Sequence, residues 1–199
     1  MERKAAGIRR IREEILNLTN SPLYELRVSN NYQPVVGVGS LDAKIMLIGE
    51  APGENEAKTG IPFCGRSGQV LDKLLVAVGM SREEIYISNL VNDRPPKNRD
   101  PKPEEVSLYS PFLWRQIQII KPKVIATLGR FAMSFIYEKI TGEICKKTIS
   151  ELHGQEIKGE IDGETIIMMP LYHPAVAVYN GKRFPELLLD FKKLRVIVG

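Results

Sequence analysis

Four polar side chains stand at or near the ends of apolar runs. Glu50 and Glu56 follow Ala43–Ile48, Asn89 lies near the end of Ile85–Leu90, and His173 follows Thr165–Met169. A carboxylate beside a reacting centre can orient water or stabilise developing positive charge. An amide offers one acceptor and two donors to a polar edge. An imidazole can donate a proton-bearing nitrogen and changes charge near neutral pH. Each position also has a plainer reading. A Glu after a strand is commonly a solvated loop carboxylate, an Asn there a turn or cap residue, and a His before Pro a structural one. No single position decides.

The elements that would carry these residues follow from periodicity. Ala43–Ile48, Ile85–Leu90, Lys123–Leu128 and Thr165–Met169 read as buried strands. Between them lie helical patterns: Ile8, Ile11, Ile15 and Leu18 in a first helix ending near Asn20, and Gly68–Val78 capped by Ser67. Pro103–Lys121 is a third, in which Pro111 predicts a kink near Leu108 or a break. A helix after Gly129 carries Phe131, Phe135, Ile136 and Ile140, and a last one runs from about Pro185. Apolar strands alternating with amphipathic helices predict the α/β class, here a three-layer α/β/α arrangement with a central four-stranded parallel sheet. Ligands of such sheets sit at the carboxyl ends of the strands, where the four polar residues fall. No fixed-period repeat or low-complexity tract interrupts the pattern.

Composition narrows the class. The chain has 199 residues, 43% of them apolar and 26% charged, which fits one domain over residues 1–199. A chain of this size buries roughly 70% of its unfolded surface and needs neither disulfides nor a metal to fold. Cys64 and Cys145 are the only cysteines and stand in no metal-ligand spacing. That argues against a disulfide-dense secreted scaffold and fits a cytoplasmic protein. No apolar run approaches a membrane span, and Met1–Arg12 is charged without a signal-peptide core. The net charge of +4 permits a phosphate-bearing partner.

Taken together, the strand-end loops carry longer motifs. Gly49-Glu50-Ala51-Pro52-Gly53-Glu54-Asn55-Glu56, followed by Gly60-Ile61-Pro62-Phe63-Cys64-Gly65-Arg66-Ser67-Gly68, resembles the first motif of family 4 uracil-DNA glycosylases. Tyr86–Val91 with Arg94-Pro95-Pro96-Lys97-Asn98-Arg99 resembles that family's second block, Pro122–Val124 through Leu128–Arg130 its third, and Tyr172-His173-Pro174-Ala175 its last. The resemblance covers nearly the whole chain in order, and implies a uracil-DNA glycosylase-like fold.

It also implies hydrolysis of the bond between uracil and deoxyribose in single- or double-stranded DNA, after the nucleotide has been flipped out. His173 and the backbone N–H near Ala51 would stabilise charge on uracil O2, with the imidazole neutral or cationic. Asn89 would read N3–H and O4, and Phe63 would cover the flipped ring. The first motif has Ala51 where many relatives place an Asp, so water activation falls to Glu56 or Glu50. Glu56 is the preferred catalytic carboxylate and Glu50 a pocket-shaping residue. Gly65, Arg66 and Ser67 at a helix start, Lys97, Asn98 and Arg99 in the Pro-rich loop, and Lys182 and Arg183 after His173 would grip DNA. One of Val176–Tyr179 would enter the base stack. The family's four iron–sulfur cysteines correspond here to Leu18, Ser21, Asp93 and Tyr109. None is a thiolate, so no cluster or metal is expected. A monomer is the default. The competing readings are a non-catalytic DNA- or base-binding protein on the same fold, and a flavodoxin-like nucleotide-binding protein. The latter lacks a P-loop or a Gly-x-Gly-x-x-Gly fingerprint.

Overall fold

Ile45 and Leu47 face one way and Met46 and Ile48 the other, all of them buried. A strand apolar on both sides must be covered on both sides, and the computed structural model, which describes residues 2–198, does this with two helical layers. The elements in chain order are α1 (Glu2–Leu16), α2 (Tyr24–Ser29), β1 (Val38–Gly39), β2 (Ile45–Gly49), α3 (Glu54–Thr59), α4 (Arg66–Ala77) and β3 (Tyr86–Asn89). After them come α5 (Pro103–Ile120), β4 (Val124–Leu128), α6 (Arg130–Thr141), α7 (Ile149–Leu152), β5 (Ile157–Ile161), β6 (Glu164–Leu171), α8 (Ala175–Tyr179) and α9 (Phe184–Val198). Helices α1, α5 and α6 pack on one face through Ile11, Tyr109, Leu113 and Ile136. Helices α4 and α9 pack on the other through Leu71, Leu74, Leu187 and Phe191.

The sheet corrects the expected four-stranded parallel one. It has six strands in the order β1-β3-β2-β4-β6-β5. The inner four, β3, β2, β4 and β6, are mutually parallel, and they are the four strands legible in the sequence. The two edges, β1 against β3 and β5 against β6, are antiparallel. Strand β5 is a hairpin partner of β6 across Asp162 and Gly163, both at positive φ. An Asp-Gly pair suits such a turn because both central residues of a type I′ turn need positive φ. The edge strand escaped the sequence reading because it is largely polar and half-buried.

Two helix expectations also change. Helix α5 continues through Pro111, so of the kink or break expected there the break does not occur. The N-cap of α4 is Gly65, and Ser67 lies inside the helix.

Chain order sets where a site can form. From β2 the chain adds β3 on one side and then crosses to add β4 on the other. The loops leaving β2 and its neighbours therefore diverge and open a crevice at their carboxyl ends.

Candidate active site

The crevice is a cavity of about 640 Å³ whose lining includes Glu50, Ala51, Glu56, Phe63, Asn89 and His173. The structure thus brings together all six residues singled out for base recognition and catalysis. Backbone bonds fix the first two loops against each other: Leu90 N–H donates to Gly49 O and Val91 N–H to Glu50 O, both at 2.9 Å.

Asn89 ends β3 beside Gly49 and is 2% exposed. Its amide bonds to no other side chain or backbone group among the described residues and is not among the fully enclosed unpaired groups, so it opens onto the cavity. The position of Gly49 explains how the floor closes. A Cβ there would lie 2.4 Å from Asn89 Oδ1 and 2.8 Å from Phe63 Cε2 and Cζ. Only the absent side chain lets the amide and the ring approach.

His173 follows β6 and lies half-buried, with its ring centroid 5.5 Å from that of Phe63 and the planes tilted by 30°. Its Nδ1 accepts the Ala175 backbone N–H at 3.1 Å. The neutral ring must then carry its proton on Nε2. Burial pushes the pKa down to about 4, against the smaller opposing influence of Glu56. Of the two forms left open by the sequence, this environment favours the neutral one near physiological pH.

The two carboxylates differ. Glu56 Oε1 accepts the Gly65 N–H at 2.7 Å and so ties α3 to the start of α4. Glu50 is raised to about 7, chiefly by burial and then by Asp100, while Arg130 opposes the rise. Asp100 and Arg130 themselves form an exposed ion pair beside it.

The cations proposed for DNA contact separate into two groups. Arg66, Lys97 and Lys182 are exposed and have no ion-pair partner among the described residues. Arg99 is held at 2.8 and 2.5 Å by both oxygens of Glu105, a fully buried carboxylate. Arg183 is held by Glu186 at 2.8 Å and lies over the Tyr172 ring. Asn98 accepts from Arg94 Nε at 2.7 Å. The Gly65 N–H, expected to meet phosphate, is taken by Glu56. Ser67 and exposed Arg66 remain at the first turn of α4 on the cavity rim.

Sequence reasoning missed several supporting residues. Arg94 braces the Pro-rich loop through Tyr32 and Asn98. Arg82 reaches the turn before α4 from a distant loop. No local signal marked the bonds to Tyr32, Pro62 and Phe63, which lie 19 to 62 residues away along the chain.

The four positions compared with cluster cysteines carry a different construction. Ser21 Oγ lies 2.7 Å from Tyr109 Oη, and that hydroxyl donates to Asp93 Oδ2 at 2.6 Å. Arg27 Nε donates to the same oxygen at 3.0 Å and its Nη2 reaches the Leu16 carbonyl at 2.9 Å. Ser21, Arg27, Asp93 and Tyr109 are all buried. Burial pushes the Asp93 pKa up despite Tyr109 and Arg27. This donor set does not fit an iron–sulfur cluster. It offers no thiolate, and Ser21, Tyr109 and one oxygen of Asp93 are engaged with one another.

Comparison with known proteins adds an independent finding. The family described as the Uracil DNA glycosylase superfamily matches residues 36–195. The chain is 39% identical over 190 residues to a type-4 uracil-DNA glycosylase of Sulfurisphaera tokodaii, covering 95% of this chain and 84% of that one. It is 39% identical to the Archaeoglobus fulgidus type-4 enzyme, over 94% and 90% of the two chains. The Thermotoga maritima type-4 enzyme is 41% identical over 170 residues, 85% and 82% of the chains.

Proposed function

This chain belongs to the uracil DNA glycosylase superfamily, and on that premise we propose that it removes uracil from DNA by hydrolysing the N-glycosidic bond, leaving an abasic site. The observation that carries the reading is Asn89, a buried amide without a protein partner, facing a cavity that also holds a neutral His173.

The flipped nucleotide enters at the strand ends. Asn89 Oδ1 accepts from uracil N3–H and Nδ2 donates to O4. Cytosine presents the opposite polarity and leaves both groups mismatched. Phe63 covers the ring. As the bond breaks, charge develops on O2, where His173 Nε2–H and the backbone N–H near Ala51 are the donors. Glu56 is the catalytic carboxylate, orienting water or stabilising the cationic sugar. Its placement is supported by the charge it exerts at His173. Glu50, only partly ionised near neutral pH, shapes the pocket.

Arg66, Lys97 and Lys182 neutralise phosphates, and Ser67 adds a backbone donor at the start of α4. Tyr179 closes α8 on the cavity rim, 86% exposed, and suits the gap left in the base stack. The reaction proceeds without an iron–sulfur cluster or a resident metal. In support, none of the four compared positions is a cysteine, and Ser21, Tyr109 and Asp93 are hydrogen-bonded to one another. Residues 1–199 act as one domain, as a monomer in the cytoplasm. No helix of the described residues is long and apolar enough to cross a membrane.

Release of free uracil from a labelled uracil-containing oligonucleotide tests the activity. Tight binding without release would instead establish a non-catalytic base-binding protein. Iron analysis and the visible spectrum of the purified protein test the cofactor. Stoichiometric iron with absorption near 400 nm would overturn that part.

A further inference from the structure

Phe63 holds an unusual backbone conformation, with φ of 51°. For a bulky side chain this left-handed region is strained and persists only where surrounding contacts enforce it. Two features enforce it here. Gly68 lets the Phe63 carbonyl come close, since a Cβ at residue 68 would lie 1.7 Å from that oxygen. Arg82 then grips the turn from outside. Its Nη1 donates to Pro62 O at 3.2 Å and its Nη2 to Phe63 O at 2.5 Å. Its Nε is fixed by Asp72 Oδ1 of α4 at 2.5 Å. The planar guanidinium thus spans two consecutive carbonyls and one carboxylate, a pattern that a lysine ammonium cannot reproduce.

We infer that Arg82, which does not line the cavity, is a positioning residue for base recognition. It holds the Pro62–Phe63 turn so that the Phe63 ring stays against Gly49 and within reach of His173. The inference rests on the reading of Phe63 as the face that covers uracil. Asp72 belongs to the same device because it orients the guanidinium.

A double-mutant cycle tests this, with single-turnover excision and melting temperature measured for the parent, Arg82→Ala, Phe63→Ala and the double variant. Arg82→Ala is expected to slow excision about tenfold, or ~1.4 kcal/mol, and to weaken inhibition by free uracil by a similar factor. In the Phe63→Ala background it should cause no further loss. A residue serving stability alone would lower excision equally in both backgrounds, and that result would overturn the inference. So would parental excision by Arg82→Ala when Phe63→Ala is impaired. Parental excision by Phe63→Ala would defeat the reading of the pocket, and the inference with it. Asp72→Ala provides the second variant should Arg82→Ala fail to fold, since Asp72 is half-exposed on the outer side of α4. It is expected to give a smaller loss, about threefold, again only when Phe63 is present.

Discussion

The Ala175 N–H donates to His173 Nδ1 at 3.1 Å, and this bond leaves the proton of the neutral ring on Nε2. A neutral donor stabilises a departing anion without itself having to be charged on entry. Loss of it should therefore be felt in the transition state. His173→Ala is expected to lower single-turnover excision by about 10² to 10³, or ~2.7–4 kcal/mol. Affinity for undamaged DNA should barely move, because phosphate contacts set it.

The same residue gives a pH signature. Folded His173 titrates at about 4, whereas an unfolded histidine titrates near 6.5. As pH falls from about 6.5 to 4 the unfolded chain takes up the proton first, so this residue's contribution to stability declines over that window. The decline should be absent from His173→Gln. Nitrogen chemical shifts should report the Nε2–H tautomer down to pH 5. A doubly protonated ring at pH 6 would contradict the assignment.

The carboxylates can be separated by isosteric change. Glu56→Gln keeps an oxygen to accept from Gly65 N–H but removes the charge, and should slow excision by about 10² with little change in melting temperature. Glu56→Ala loses the bond as well, and should be both slower and less stable. Glu50 behaves differently. Its folded pKa is raised to about 7 from 4.5, so an unfolded chain releases the proton first and stability falls as pH rises through that interval. Glu50→Gln should remove that fall while costing less activity than Glu56→Gln. The reverse order of losses would exchange the two roles.

Much of this site was legible in the sequence because buried parallel strands are continuous apolar runs. The residue after such a run is therefore placed without any tertiary information. Glu50, Asn89 and His173 were found that way. What could not be read depends on pairings across long sequence distances. The partner of Gly65 N–H is a carboxylate nine residues back, which only the turn of α3 brings into reach. The positive φ of Phe63 reflects a guanidinium nineteen residues onward. Charged side chains give no hint of whether they face water or one another, which is why Arg99 and Arg183 looked as free as Lys97 and Lys182.

That distinction yields a binding prediction. Removing Arg66, Lys97 or Lys182 should each reduce the log–log salt slope of binding to undamaged duplex by about 0.9. Arg99→Ala and Arg183→Ala should change the slope less, because Glu105 and Glu186 already neutralise these side chains. Equal slopes for all five variants would show that the ion pairs open on DNA.

The last prediction concerns the network at Asp93. Arg27 and Asp93 form an ion pair with side chains 6% and 1% exposed, and Tyr109 bonds the same carboxylate oxygen. The other oxygen, Oδ1, has no partner among the described residues. A buried carboxylate so placed depends heavily on the partners it has. Arg27→Ala should therefore destabilise the fold by about 3–5 kcal/mol, through the uncompensated charge it leaves behind. Tyr109→Phe removes two bonds, to Asp93 and Ser21, without stranding a charge and should cost about 1–3 kcal/mol. Asp93 immediately precedes Arg94, the brace of the Pro-rich loop, so both variants should also weaken DNA binding under conditions where they remain folded. Denaturant unfolding and binding at low temperature separate the two effects. If Arg27→Ala unfolded at the parental midpoint, the pair would contribute nothing to stability, and the apolar packing of Ile11 and Ile15 against α5 would be what holds the N-terminal segment.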